Sequence, residues 1–324
     1  MTVGDAAPQT LLKQLLLDPE GPAVVAVGGG HGLSKALRAA LSYAGRVDAI
    51  VSVSDDGGSS GRLVSQLDIP PPGDIRKCLL ALTPDGSVWK QIFDYRFDEA
   101  DVAGHSLGNL ILAALAEIEH DFEAALSRAE SLLQASGSVI PACKDRLTLV
   151  ADTEGGRVEG QVAIQRHRGT IHAIEVRPAS AAATPRAITA IESADQIILG
   201  PGSLMTSTIA AMRVPGITEA INESGAQLVY VGNLITQDGE TLSMDGIDHL
   251  DALLRLTGVR PPGTIVANEH AMDIDPPLQP VVFDAEILAT YGADLVTADL
   301  VDESETWPSH DPMKLGAVLN ALSR

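Results

Sequence analysis

Ala23-Val24-Val25-Ala26-Val27-Gly28-Gly29-Gly30-His31-Gly32-Leu33-Ser34 decides the fold. The apolar run Ala23 to Val27 suits a parallel strand covered on both faces. Beyond the glycines, Leu33, Ala36, Leu37, Ala40 and Leu41 recur at helical spacing, so the turn opens directly into an amphipathic helix. Ala49 to Val53 supplies a second strand after Gly45, which completes a βαβ crossover of the usual length. A strand that hands over to a helix through glycine leaves free N–H groups and the positive end of the helix dipole facing outward, a natural phosphate cradle. Leu33 stands where G-x-G-x-x-G requires its last glycine, and no G-K-[ST] follows, so the turn is neither the full dinucleotide fingerprint nor a P-loop. A tight turn between packed elements is the alternative reading of the same residues.

The α/β rhythm continues outward. Leu107 to Ile118 reads as a helix with Phe122 to Leu133 as its partner. Near 147–177 the apolar period shifts toward two, with Gly155-Gly156 and Arg168-Gly169 as turns, which predicts a small β-rich excursion protruding from the core. Helix Pro185 to Glu192, strand Gln196 to Leu199, a glycine turn, a helix and strand Leu228 to Val231 then follow. A final strand near Thr264 to Ala267 and a terminal helix Met313 to Leu322 close the pattern. The expectation is one α/β domain over 1–324, a mostly parallel sheet flanked by helices, with 1–21 as an N-terminal extension carrying a short helix before Asp18-Pro19-Glu20-Gly21-Pro22.

Composition removes several classes of function. The 324 residues hold 43 acidic and 22 basic side chains, a formal charge of −21 that repels nucleic acid and anionic membrane surfaces. No stretch approaches the ~20 apolar residues of a bilayer span, and Met1 to Glu20 lacks the basic start, long apolar centre and cleavage site of an export signal. Cys78 and Cys143 make neither a disulfide framework nor a zinc motif, so a reducing, cytoplasmic compartment is expected. Anionic small ligands stay open, because backbone N–H groups set the local potential whatever the net charge. A homodimer also stays open.

Further clusters carry chemistry. Ser54-Asp55-Asp56-Gly57-Gly58-Ser59-Ser60-Gly61-Arg62 follows the second strand at the edge where open α/β sheets bind ligands. Asp55 and Asp56 could hold magnesium or a ribose hydroxyl, Gly57, Gly58, Ser59 and Ser60 present N–H and O–H donors, and Arg62 could neutralise phosphate; a solvated loop is the bland alternative. Asp74, after Pro70-Pro71-Pro72-Gly73, reads as a helix N-cap or a ligand contact. Gly104-His105-Ser106-Leu107-Gly108 matches the hydrolase elbow G-x-S-x-G, but Asp98 to Ala103 is not the buried strand an elbow needs. Ser106 then caps the helix at Leu107, with His105 and Asn109 near the same edge. Gly200-Pro201-Gly202-Ser203 repeats the cradle logic, and Asn233 and Thr236 could read a base or sugar where turn formation is the alternative. Trp89, Phe93, Tyr95 and Phe97 read as packing, and no H-E-x-x-H spacing is present.

Taken together, the segments at Gly28 to Ser34, Asp55 to Arg62, Pro72 to Arg76, Gly104 to Asn109, Gly200 to Leu204 and Asn233 to Gln237 resemble the YvcK-like gluconeogenesis factors, relatives of the 2-phospho-L-lactate transferase CofD, over roughly Val24 to Leu250. The resemblance implies a Rossmann-like CofD fold and a cytoplasmic bacterial protein. It also implies binding of nucleotide sugars of the UDP-N-acetylglucosamine type, and a role linking carbon flux to cell-wall synthesis and cell shape. The transferase relatives move a phospholactyl group from a nucleotide-activated donor to a deazaflavin with magnesium. His31 stands where that family usually carries Thr. Two readings follow: a ligand-binding regulator without turnover, and a transferase in which Asp55, Asp56 or Asp74 holds magnesium.

Overall fold

The computed structural model describes residues 17–323, apart from 68, 168 and 271. The short helix expected before Asp18 and Arg168 of the second expected turn lie outside the described residues.

Strand β1 (Ala23–Gly28) enters helix α1 (Gly30–Ala40) through Gly29 alone, and β2 (Arg46–Val51) returns parallel to it with Val27 opposite Ile50. Val24, Val25, Ala26 and Val27 are all solvent-free, as a strand covered on both faces must be. The chain then leaves the sheet for α2 (Gly58–Leu67), α3 (Pro72–Leu82), α4 (Val88–Asp94) and the pair α5 (Leu107–Glu119) and α6 (Phe122–Leu133). It re-enters as β3 (Ser138–Pro141), parallel to β2. Phe93 is buried within this helical block, whereas Tyr95 meets Phe97 edge-on at 5.1 Å on its outside.

Strands β4 (Thr148–Thr153), β5 (Gly156–Glu159) and β6 (Ile171–Arg177) form an antiparallel sheet in the order β5-β4-β6, with helix α7 (Gln161–Arg166) between β5 and β6. This is the β-rich excursion the alternating pattern predicted, but it does not protrude. Leu149, Val150 and Ala151 in β4 are all buried, and Ile164, Ile171 and Ile174 join the same core as the main sheet. Arg255 fastens the edge strand by donating to the carbonyls of His172 at 2.7 Å and Ile171 at 3.2 Å. A strand apolar on both faces cannot stand in solvent.

After α8 (Pro185–Glu192), strand β7 (Gln196–Leu199) pairs with β1 on the side away from β2. A π-helical turn, Leu204–Ile209, leads into α9 (Ala210–Met212) and α10 (Ile217–Glu223). Then come β8 (Gln227–Val231), α11 (Gly246–Thr257), β9 (Thr264–Asn268), α12 (Ala285–Thr290), β10 (Asp294–Ala298) and α13 (Pro312–Leu322). Strand β9 was expected to be the last; β10 follows it, a half-exposed edge strand whose Asp294-Leu295-Val296-Thr297-Ala298 carries too little apolar signal to stand out.

The seven-stranded sheet runs β10-β9-β8-β7-β1-β2-β3, all parallel. From β1 the chain moves outward to β2 and β3, then jumps back past its start to β7 and proceeds the other way. The β1/β7 border is therefore the topological switch point, where divergent crossovers leave a crevice at the strand carboxyl ends. Register aligns those ends, with Val27 opposite Leu199 and Leu199 opposite Tyr230.

Candidate functional site

A cleft of ≈ 700 Å³ opens at that switch point, a volume within the range of small-molecule sites. Its floor is two glycine turns packed backbone to backbone. A Cβ at Gly32 would run into the carbonyl oxygen of Pro201 and approach the Gly202 Cα to 2.6 Å, while one at Gly202 would come within 3.4 Å of the Gly29 oxygen. Gly30 at φ +68° and Gly202 at φ +136° hold conformations that side chains rarely adopt. Gly28 and Gly200 close β1 and follow β7 beneath them. No side chain caps α1, its first turn carries no acidic residue, and Gly29, Gly30, His31 and Gly32 line the cleft.

The second turn is clamped. Asn233 accepts from Gly202 N at 2.9 Å and donates to Gly202 O at 2.8 Å, and Ser203 donates its hydroxyl to Gln237 at 3.0 Å. Thr236 donates its N–H to Gln279 O at 2.8 Å and its hydroxyl accepts from Gln279 N at 2.9 Å. The amide and hydroxyl read from sequence as base or sugar contacts thus hold the cleft wall. Next to the turn lies the buried Glu240, accepting from Met205 N at 3.0 Å and from the Thr206 hydroxyl, which also receives Gln165 at 3.1 Å. Burial pushes the Glu240 carboxyl up despite these donors.

Asp74 lines the cleft from α3, but it is not the N-cap: Pro71 holds that position and Asp74 sits in the first turn. The stiff prolines place its carboxylate against the first glycine turn, 2.6 Å from where a Gly29 Cβ would stand, and Lys77 pairs with it at 3.0 Å. Asp55 lies close by, accepting from Gly57 N at 2.9 Å and from Ser60. Burial, and then the Asp74 charge, push the Asp55 carboxyl above the ordinary range. His31 stands at the cleft mouth, where desolvation and then the Lys77 ammonium lower its pKa.

Other sequence candidates lie outside this cleft. Asp55 and Asp56 border a neighbouring hollow of ≈ 260 Å³ with Arg146 and Glu159. The two carboxylates diverge, because Asp56 turns to accept from Val162 N at 3.0 Å in the excursion. The expected polar loop becomes α2 from Gly58 onward, with Ser59 linked to His105 at 3.0 Å and to Asn109 at 3.1 Å, and Arg62 donating to Ala103 O at 3.0 Å. Ser106 occupies the N-cap position of α5 without bonding to its first turn, so the expected side-chain cap is not made. It is also completely buried and preceded by turns rather than a strand, which closes the hydrolase reading. Among the described residues no cluster of three or more His, Cys, Asp and Glu is placed to hold a metal ion.

Sequence reasoning missed part of the cleft. Lys35, Ser207, Gln161, Gln165, Trp307 and His310 all line it. Lys35 follows the glycine turn on α1, and its ammonium pairs with Asp302 at 3.2 Å and Glu305 at 3.4 Å. Trp307-Pro308-Ser309-His310 had only its composition to flag it, an aromatic and a histidine in a loop distant in sequence.

Comparison with known proteins agrees with this architecture. The sequence signature of the 2-phospho-L-lactate transferase CofD family matches residues 24–301. The gluconeogenesis factor of Bacillus subtilis is 38% identical over 309 residues, 92% of this chain and 97% of that protein. That of Halalkalibacterium halodurans is 37% identical over 314 residues, 93% and 97% respectively. A crystal structure of a UPF0052 family member from Bacillus halodurans superimposes with a TM-score of 0.86 at 36% identity, covering 91% of this chain and 98% of that one. No described helix is long and apolar enough to cross a membrane.

Proposed function

This chain belongs to the 2-phospho-L-lactate transferase CofD family, among its gluconeogenesis factors, and from that premise we propose that the cleft binds a nucleotide sugar of the UDP-N-acetylglucosamine type. In this reading the protein is a cytoplasmic regulator that couples carbon metabolism to cell-wall synthesis and cell shape through ligand occupancy, without turnover. The observation that carries it is the interlocked pair of glycine turns, Gly29 to Gly32 against Pro201 to Gly202, at the switch point of the sheet. Uncapped first-turn N–H groups of α1 suit a diphosphate, while Lys35 at the cleft side is paired with Asp302 and Glu305. Among the described residues no nucleophile, base and orienter are assembled beside them, which favours binding over covalent chemistry.

A second reading, a magnesium-dependent transferase acting on a diphosphate-activated donor, draws support from Asp55 and Asp74. The Asp74 charge adds to the cost of ionising Asp55, and with the Ser60 hydroxyl the two carboxylates form the oxygen set that magnesium takes alongside substrate phosphates. Asp56, tied to Val162, does not fit that set. When bound, the ion would neutralise charge on the diphosphate; Asp55 and Asp74 would hold it, and Lys77 would moderate their charge.

Thermal unfolding with UDP-sugars, UDP, GDP and dinucleotides, with and without magnesium, tests both readings. A ligand at ~100 times its dissociation constant adds about 2.7 kcal/mol to stability. A shift without any new product supports the regulator. A magnesium-dependent shift with a phosphodiester product on incubation with a deazaflavin supports the transferase. No shift with any phosphate-bearing ligand removes both.

A further inference from the structure

Lys35 is the only lysine or arginine that lines the cleft among the described residues, and it stands on α1 one turn after His31. Desolvation and then the Lys77 ammonium lower the His31 pKa, so that imidazole adds no positive charge at neutral pH. The wall of a cleft read as a phosphate site thus offers one cation. That cation is already paired. Its ammonium lies 3.2 Å from Asp302 and 3.4 Å from Glu305, both in the loop between β10 and α13.

The two carboxylates are held differently. Asp302 stands at the paired neck of the loop, where Val301 bridges to His310 and Asp302 N donates to Ser309 O at 2.8 Å. Its carboxylate also accepts from Ser304 N at 3.0 Å and from the Ser304 hydroxyl at 2.6 Å. Glu305 lies past the neck with its side chain 51% exposed, and Lys35 is its carboxylate's one partner among the described residues. Glu305 lines the cleft, whereas Asp302 does not. An ion pair this open is weak and screened by salt. Asp302 is therefore the anchored partner of Lys35, and Glu305 the displaceable one.

We infer that Glu305 is an autoinhibitory counter-anion, which holds Lys35 neutralised and which the phosphate of an incoming ligand must displace from the ammonium. The inference rests on the cleft being the phosphate-ligand site proposed above, and it adds a loop charge that sets how tightly that site takes an anion. A diphosphate carries more negative charge than one carboxylate and brings more acceptor oxygens, so it competes for the ammonium while Asp302 stays in place. Any carboxylate on the loop repels an anion at long range. What marks Glu305 is that its effect runs through Lys35.

Titration calorimetry on the full chain, at one low ionic strength, tests this with UDP-N-acetylglucosamine and inorganic pyrophosphate. Glu305→Gln should bind both about five-fold more tightly than the parent, whereas breaking a merely structural ion pair would leave affinity unchanged or weaken it. Glu303→Gln removes the same charge from an exposed neighbour that does not line the cleft, and should change affinity by less than about two-fold. Lys35→Met should weaken binding about five-fold, and in that background Glu305→Gln should gain no more than Glu303→Gln does. Equal gains from the two glutamines, a Glu305→Gln no tighter than the parent, or a Glu305 effect that survives without Lys35 each overturn the inference. Thermal unfolding checks that every variant folds, and Glu305→Ala carries the same expectation should the glutamine variant not fold. If the parent and both Glu305 variants bind neither compound, the cleft assignment itself fails, a distinguishable result.

Discussion

Asn233 grips Gly202 with both ends of its carboxamide, accepting from the backbone N–H at 2.9 Å and donating to the carbonyl at 2.8 Å. The loop after β8 thereby pairs with the turn after β7 as a strand would, and because Gly202 packs on Gly29 and Gly32, the grip fixes both glycine turns. Asn233→Ala leaves two backbone groups without partners in a part-buried site, at about 1–3 kcal/mol of stability. The larger effect falls on the ligand: the thermal shift given by a UDP-sugar should drop to a small fraction of the parent's. Asn233→Asp keeps the acceptor but sets a carboxylate against Gly202 O, and should bind no better than the alanine variant. A full ligand shift in Asn233→Ala would show that the turn holds its shape unaided.

Gly32 lies inside α1, where alanine is ordinarily better than glycine by roughly 0.5–1 kcal/mol. Here the sign reverses. The added methyl would strike the Pro201 carbonyl, and the obstacle is backbone that cannot swing aside. Overpacking of this kind costs about 1–3 kcal/mol or more, so Gly32→Ala should lower the denaturation midpoint and separate the two turns. Gly263→Ala, where nothing lies within 4 Å, is the matched control and should stay within ~0.5 kcal/mol of the parent. Equal behaviour of the two variants in urea unfolding would contradict the interlocked floor.

The contrast between these glycines shows what the chain's own residues disclose. The run Ala23 to Val27 announced a buried parallel strand because every side chain on it is apolar, and the helix after Gly29 followed from its spacing. That two such turns meet backbone to backbone was not legible, since strand order depends on pairings 172 residues apart such as Val24 with Gln196. Asp74 was recognisable as a candidate, yet its place against Gly29 arises from the Pro70 to Pro72 stretch and the packing of α1 on α3. Asp55 and Asp56 looked equivalent as neighbours in sequence and point to different partners in space. His310 and Trp307 had no periodic or motif signal; only the fold of the carboxyl-terminal loop brings them to the cleft.

Asp55 carries a pH signature. Its carboxyl is raised in the fold by burial and by Asp74, against the lowering effect of Gly57 N and Ser60. A carboxyl raised above its unfolded value binds its proton more tightly in the native state, so its favourable contribution is present below the unfolded pKa, near ~3.9, and is lost as pH rises through the folded pKa. At neutral pH the ionised Asp55 therefore costs stability. Asp55→Asn should unfold at a higher temperature than the parent at pH 7, with the advantage shrinking as pH falls through the raised pKa. Millimolar magnesium should close the gap by stabilising the parent alone if the Asp55 and Asp74 pair holds the ion. A variant less stable than the parent at pH 7 would show that the Gly57 and Ser60 bonds outweigh the buried charge.

Asp56 reaches the cleft through the excursion instead. The N-cap of helix α7 is Gly160, which has no side chain to cap it, and Asp56 from the main body supplies the missing acceptor at Val162 N, 3.0 Å away. From α7, Gln165 donates to Thr206 at 3.1 Å, and Thr206 meets the enclosed Glu240 that holds the start of the π-helical turn. A cap removed in this way costs about 0.5–2 kcal/mol. Asp56→Ala should therefore loosen β4 to β6 first, seen as faster hydrogen exchange in 148–177 while β1 and β7 remain protected. Because the chain of contacts ends beneath Gly202 and Ser203, ligand affinity should also fall several-fold, although Asp56 does not line the cleft. Asp56→Asn, which keeps an acceptor for Val162 N, should preserve most of both properties. If Asp56→Ala speeds exchange in the excursion and leaves ligand affinity untouched, the excursion is a buttress for the fold and Gln165 transmits nothing to the site.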